Sequence, residues 1–135
     1  MISVIIPTLG NFNINNLKYQ ISNNTEKIPF EIIFCIPQEN FTKIVRLKKY
    51  QNVKIILSKN HNQVLQRMEA VAKAKYNLIL QLDDDISIKE LFLTNLYESF
   101  VKIKKKLKIK KYFCLSPIYK EKKTNQKLYK KPTLM

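Results

Sequence analysis

Apolar residues come in short continuous runs separated by longer, mostly polar stretches. SVIIP at 3–7 is a β-branched run ended by Pro7 and predicts a buried strand. FEIIFCI at 30–36, stopped by Pro37, predicts a second, and VKIIL at 53–57 a third. NLILQL at 77–82 predicts a fourth, and KYFCLSPI at 111–118 a fifth. Between them the period changes. Ile14, Leu17 and Ile21 within 11–27, with Ile28 just after, fall at helical spacing and predict a surface helix. Residues 40–50 place Phe41, Ile44, Val45 and Leu47 close to that period, which predicts a second helix. Residues 62–75 give the clearest helix, with Val64, Leu65, Met68, Val71 and Ala72 as its inward stripe and Asn60 or Asn62 as its cap. Ser87 is the expected cap of a helix reaching about residue 106, with Leu91, Leu96 and Phe100 inward. Continuous apolar strands alternating with amphipathic helices predict an α/β domain built on a mostly parallel sheet flanked by helices.

The 135 residues suffice for one domain with a sizeable core. No apolar run reaches the roughly 18 residues of a membrane span. MISVIIP lacks the basic start of a secretory signal, so the chain is expected in the cytoplasm. Cys35 and Cys114 sit in apolar stretches without metal-ligand spacing and read as reduced core residues. Gly10 is the single glycine. That excludes P-loops and the dinucleotide fingerprint, both of which need glycine for close backbone approach to phosphate.

Charge divides the chain. Residues 1–100 hold 12 Lys/Arg and 9 Asp/Glu, whereas 101–135 hold 13 Lys and one acid, Glu121. Most of the +15 net charge therefore belongs to the C-terminal stretch, and 119–135 reads as a lysine-rich tail after a domain over 1–118. Such a tail favours polyanions, among them an anionic membrane surface at the inner face. Tyr112, Phe113, Tyr119 and Tyr129 interleave with these lysines, a pattern that can stack single-stranded nucleic acid. Docking of the aromatics on the core is the simpler account, and nucleic acid is not the favoured partner.

The candidate chemistry is at Asp83, Asp84 and Asp85, directly after a predicted buried strand. Open α/β sheets bind ligands outside the carboxyl ends of their strands. Adjacent carboxylates repel, and a divalent cation removes that cost. In an extended stretch Asp83 and Asp85 point the same way and can share Mg²⁺ or Mn²⁺ with phosphate oxygens and water. The competing account is helix capping. His61, the one histidine, reads as a capping or exposed residue without a nucleophile partner.

SVIIPT and the stretch NHNQVLQRMEAVAKAKYNLILQLDDDI, in this order and spacing, resemble the nucleotide-binding half of family 2 glycosyltransferases, with a Rossmann-like GT-A fold. The likeness covers roughly residues 1–118. It implies that Asp83 and Asp85 are the outer acids of a D-x-D motif holding metal and nucleotide-sugar, and that Asp84 faces the ribose or donor sugar. It places Pro7 and Thr8 near the base and Arg67 near the nucleotide. Gln63 is the i, i+4 neighbour of Arg67, on the helix face away from the Val64/Met68/Val71 stripe. Two departures stand out. Ile36-Pro37 occupies the place of the family's acidic pair, with Glu39 as the available substitute. Nothing matches the family's acceptor half or catalytic base: Glu90 and Glu98 fall in a predicted helix, and Glu121 stands among lysines. The expectation is a truncated glycosyltransferase-like domain that binds a nucleotide-diphosphate sugar through Mn²⁺ or Mg²⁺, the glycan, lipid or protein acceptor unassigned. The alternatives are a non-catalytic module acting through its basic tail and a nucleotidyltransferase on a related sheet.

Overall fold

The computed structural model describes residues 1–11, 14–24 and 28–108. The predicted strand at 111–118, Cys114 and the tail at 119–135 lie outside the described residues. The chain divides into two compact units, Met1–Thr94 and Asn95–Met135.

The first unit is a Rossmann-like α/β fold. Its elements run β1 (Ile2–Pro7), α1 (Ile14–Asn24), β2 (Phe30–Pro37), two 3-10 helices (Gln38–Lys43 and Val45–Lys49), β3 (Val53–Ser58), α2 (Gln63–Val71) and β4 (Ile79–Gln81). All four strands are parallel, in the order β3-β2-β1-β4. The chain winds outward from β1 through β2 to β3, then returns to place β4 on the other side of β1. β1 and β2 pair in register from Ile2 with Phe30 to Pro7 with Cys35.

The central strands are apolar on both faces because both faces are covered. Every residue of β1 is buried, as are Ile32 to Pro37 of β2. Ile5, Ile33 and Cys35 form one core cluster with Ala70 of α2. Their neighbours in sequence, Val4, Ile6, Ile32, Phe34 and Ile36, alternate onto the opposite face and are fully buried. Helix α1 buries Leu17 and Ile21, the i, i+4 pair of its stripe. Ser3 is the polar exception inside β1. Its hydroxyl donates to Glu31 Oε1 (2.6 Å) and accepts from the Tyr76 amide (3.0 Å), which ties the approach to β4 onto the sheet.

Three expectations need correction. Residues 40–50 form no α-helix. Phe41, Ile44, Leu47 and Tyr50 recur every third residue, the period of a 3-10 helix. The bonds Ile44 N→Phe41 O (3.0 Å), Leu47 N→Ile44 O (2.9 Å) and Tyr50 N→Leu47 O (3.2 Å) follow that period. Ile44 and Leu47 are buried and Val45 is exposed.

The second correction concerns α2, which is shorter than predicted and faces the other way. Val64 (62%), Leu65 (41%), Met68 (63%) and Val71 (37%) are exposed, while Gln66 and Ala70 are buried. Polar groups hold the inner face. Gln66 Nε2 donates to Asn60 O (2.9 Å), Asn60 Nδ2 to Glu69 Oε1 (3.1 Å), and Cys35 Sγ to Glu69 Oε2 (3.8 Å). Burial first, and then Glu69, push the Cys35 thiol up to about 12. The helix start is as expected: Asn62 Oδ1 accepts from the amides of Val64 (2.8 Å) and Leu65 (3.3 Å).

Third, α3 (Phe92–Lys106) starts five residues after Ser87, which is exposed and caps nothing in this helix. Leu91 has φ 59° and is exposed rather than inward. The Ile88 amide donates to Gln20 Oε1 of α1 (2.8 Å), so this segment is held before the helix begins. Glu90 consequently precedes α3. The second unit continues α3 to Lys106 and closes it with Leu107 N→Ile103 O (2.9 Å). Lys104, Lys105 and Lys106 fill its last turn, where cations favour the helix dipole. Leu96 and Phe100 are half-buried.

Candidate functional site

The winding reverses at β1, which leaves a switch point between the carboxyl ends of β1 and β4. Such a point opens the crevice where doubly wound sheets take ligands. Two predicted residues meet there. Pro7 ends β1, and Thr8 follows with its amide on Cys35 O (3.0 Å). The Thr8 hydroxyl donates to Asp84 Oδ2 across 76 positions of sequence and accepts from the Gly10 amide (2.9 Å). Thr8 is 3% exposed, so this contact is internal to the rim.

The aspartate triplet splits by environment. Asp83 is exposed and ion-paired with Arg67 of α2. Asp84 turns in toward Thr8. Burial raises its carboxyl above the usual range, the Thr8 hydrogen bond opposes that, and Asp85 and Asp83 push it further up. Asp85 is exposed and has no partner among the described residues. Asp84 and Asp85 lie in a turn rather than in an extended run. The extended stretch expected to point Asp83 and Asp85 the same way is therefore not formed, and both are more exposed than Asp84. Among the described residues no three His, Cys, Asp or Glu side chains are gathered into a metal-holding set.

Arg67 is partly buried and reaches the rim; Gln63 is exposed. The glutamine that matters structurally is Gln66, one turn position further, which is fully buried. Its Oε1 has no hydrogen-bond partner among the described residues.

Glu39 follows β2 and lies beside His61, which follows β3, with Oε1 and Nε2 2.5 Å apart. Both side chains are mostly exposed, so the pair is worth at most about 1 kcal/mol. Its significance is positional, since it joins the loops that follow β2 and β3, strands that already pair as far as Pro37 and Ser58. Periodicity could not have revealed it, because 22 positions separate the two residues in sequence.

Lys43 was not foreseen either. From the first 3-10 helix its Nζ donates to Leu9 O (3.1 Å) and Asn11 Oδ1 (2.9 Å), which clamps the loop after β1. Gly10 makes that approach possible. It has φ +77°, and a Cβ there would lie 2.8 Å from Lys43 Cδ and 2.9 Å from Lys43 Cβ. The one glycine of the chain was the available signal, though it does not name the partner.

Among the described residues the rim therefore carries the Arg67 guanidinium, the Lys43 ammonium, the buried Thr8 hydroxyl, the His61 imidazole and the carboxylates of Glu39, Asp83, Asp84 and Asp85. Those are groups for phosphate and for a hard cation. No protein-family model matches the chain, and no curated protein matches it significantly. Among the described residues no helix is long and apolar enough to cross a membrane.

Proposed function

We propose that the chain is a glycosyltransferase-like domain that binds a nucleotide-diphosphate sugar over the carboxyl ends of β1 and β4. The observation that carries this reading is the Thr8–Asp84 hydrogen bond, which holds the aspartate triplet at the switch point of the sheet. The spacing of SVIIPT, the helix and LDDD supports it from the sequence side.

Mg²⁺ or Mn²⁺ is the cation this reading calls for, because Asp83 and Asp85 are exposed hard oxygen donors. Asp83 and Asp85 would hold the ion. Bound there, it would neutralise the negative charge that develops on a departing diphosphate. Asp84, held by Thr8, would orient the ribose or the donor sugar. Arg67 offers a guanidinium to the diphosphate and in the free protein is balanced by Asp83. Glu39 is the acid available to the base, and His61 beside it supplies a second polar group. No residue is assigned as the base that would deprotonate an acceptor, and the acceptor is left open.

Calorimetry with uridine, guanosine, adenosine and cytidine diphosphates tests the reading. At least one should bind in Mn²⁺ or Mg²⁺, and chelator or the pair Asp83→Asn/Asp85→Asn should abolish the binding. Binding unchanged by chelator would remove the metal from the proposal. No binding by any of the four would remove the proposal itself. It would leave the reading in which the basic residues after 100 hold a polyanion, for which retention on a polyanion column is the measurement.

A further inference from the structure

Helix α2 is inverted relative to the usual rule that the apolar stripe faces the core. Val64, Leu65, Met68 and Val71, at i, i+1, i+4 and i+7, form one outward stripe, with Val64 and Met68 more than three-fifths exposed. The inward face is committed to Gln66, Glu69 and Ala70. A rotation that buried the stripe would break the bonds of Asn60 to Glu69 and Gln66. The stripe is thus held outward by the packing of the polar face.

Asp83 meets α2 from outside and is balanced there by Arg67. Glu69 is the only acid in α2, and its carboxylate is turned inward to Asn60 and Cys35. Lys59 before the helix, and Lys73 and Lys75 after it, are exposed. Lys54 joins this end through its Nζ on Lys73 O (2.9 Å). An apolar stripe bordered by lysines suits a surface that offers hydrocarbon below a layer of negative charge. A second copy of the chain would set the same exposed lysines, Lys59, Lys73 and Lys75, against these.

From this arrangement we infer that the outward face of α2 docks on an anionic lipid surface. Val64, Leu65, Met68 and Val71 enter the boundary between headgroups and acyl chains, and Lys59, Lys73 and Lys75 pair with lipid phosphates. This does not depend on the nucleotide-sugar reading and differs from attachment by the C-terminal lysines, which is purely electrostatic.

The chain has no tryptophan, so an introduced one reports its own environment. Met68→Trp is the reporter in the full-length chain, and Thr42→Trp, at an exposed position on a 3-10 helix, is the control. With vesicles of phosphatidylglycerol and phosphatidylcholine, the emission of the first should shift to the blue and that of the second should not. The shift should be absent with phosphatidylcholine alone. Leu65→Ser/Met68→Ser, both at exposed positions, should keep its circular dichroism and lose roughly tenfold or more in vesicle partitioning at 0.5 M salt, where lysine contacts are screened. Vesicle binding in which the Met68→Trp emission stays that of a water-exposed indole would overturn the proposal in favour of the lysine tail. A blue shift that grows with protein concentration in the absence of lipid would overturn it in favour of self-association.

Discussion

Gly10→Ala tests whether the loop after β1 is built around a residue without a side chain. Two costs follow from the geometry. The backbone at φ +77° is left-handed, which costs an alanine about 1–2 kcal/mol. The new methyl also meets Lys43 Cδ at 2.8 Å, Lys43 Cβ at 2.9 Å and Ile36 Cδ1 at 3.3 Å. Lys43 Cδ can swing away, but its Cβ moves only with the backbone, so overpacking adds about 1–2 kcal/mol. The expected total is about 2–4 kcal/mol, a fall in Tm of roughly 6–15 °C for a chain of this length. Urea unfolding followed by circular dichroism measures it. Combining the change with Lys43→Ala separates the terms. The shorter side chain relieves the Cδ contact, so the double variant should be less destabilised than the sum of the singles by about 0.5–1 kcal/mol. A single variant within 0.5 kcal/mol of the parent would refute the conformational argument. Strict additivity would refute the contact with Lys43.

Other outcomes follow from the same geometry. Thr8→Val removes the donor to Asp84 and should cost about 1–2 kcal/mol in urea unfolding, together with nucleotide affinity; stability equal to the parent's would show that this bond does not hold the triplet. Gln66→Leu removes the unpartnered Oε1 but orphans Asn60 O, so it should fall within about 1 kcal/mol of the parent, whereas Gln66→Glu should cost several kcal/mol at neutral pH through an unpaired buried charge. Cys35 ionises in the unfolded chain near the ordinary thiol range but in the fold only toward about 12. Its contribution to stability is therefore complete below pH 9 and declines as pH rises toward 12, by up to about 1.4 kcal/mol per pH unit. The stability gap between parent and Cys35→Ala should narrow over that window, and a constant gap would contradict the buried thiol.

The strands were legible because burial on both faces writes itself as an unbroken apolar run. SVIIP after Ser3 and FEIIFCI from Ile32 onward fit that account, with proline closing each strand. The α/β class followed from the alternation, and the position of the aspartates followed from the end of β4. The start of α2 was legible because Asn62 is a local signal acting over three residues. Its orientation was not. A periodic stripe reports which residues share a face, and the inference that this face is inward assumes that the core prefers carbon. Here Gln66 and Glu69 find partners in Asn60 of the preceding loop and Cys35 of β2, and the helix turns accordingly. The 3-10 segments were misread for a narrower reason: the spacing of three at Phe41, Ile44, Leu47 and Tyr50 was present, but Val45 made it look helical.

Sequence alone determined four of the strands and the acids that follow β4, which depend on residues within one element, and the alternation of strands with helices gave the sheet's parallel character. Tertiary structure alone decided that Thr8 meets Asp84, that Arg67 meets Asp83, that Glu39 meets His61, and which side of α2 faces out. Those outcomes depend on how separate elements satisfy one another's polar groups, and that is a property of the assembled sheet rather than of any stretch of chain.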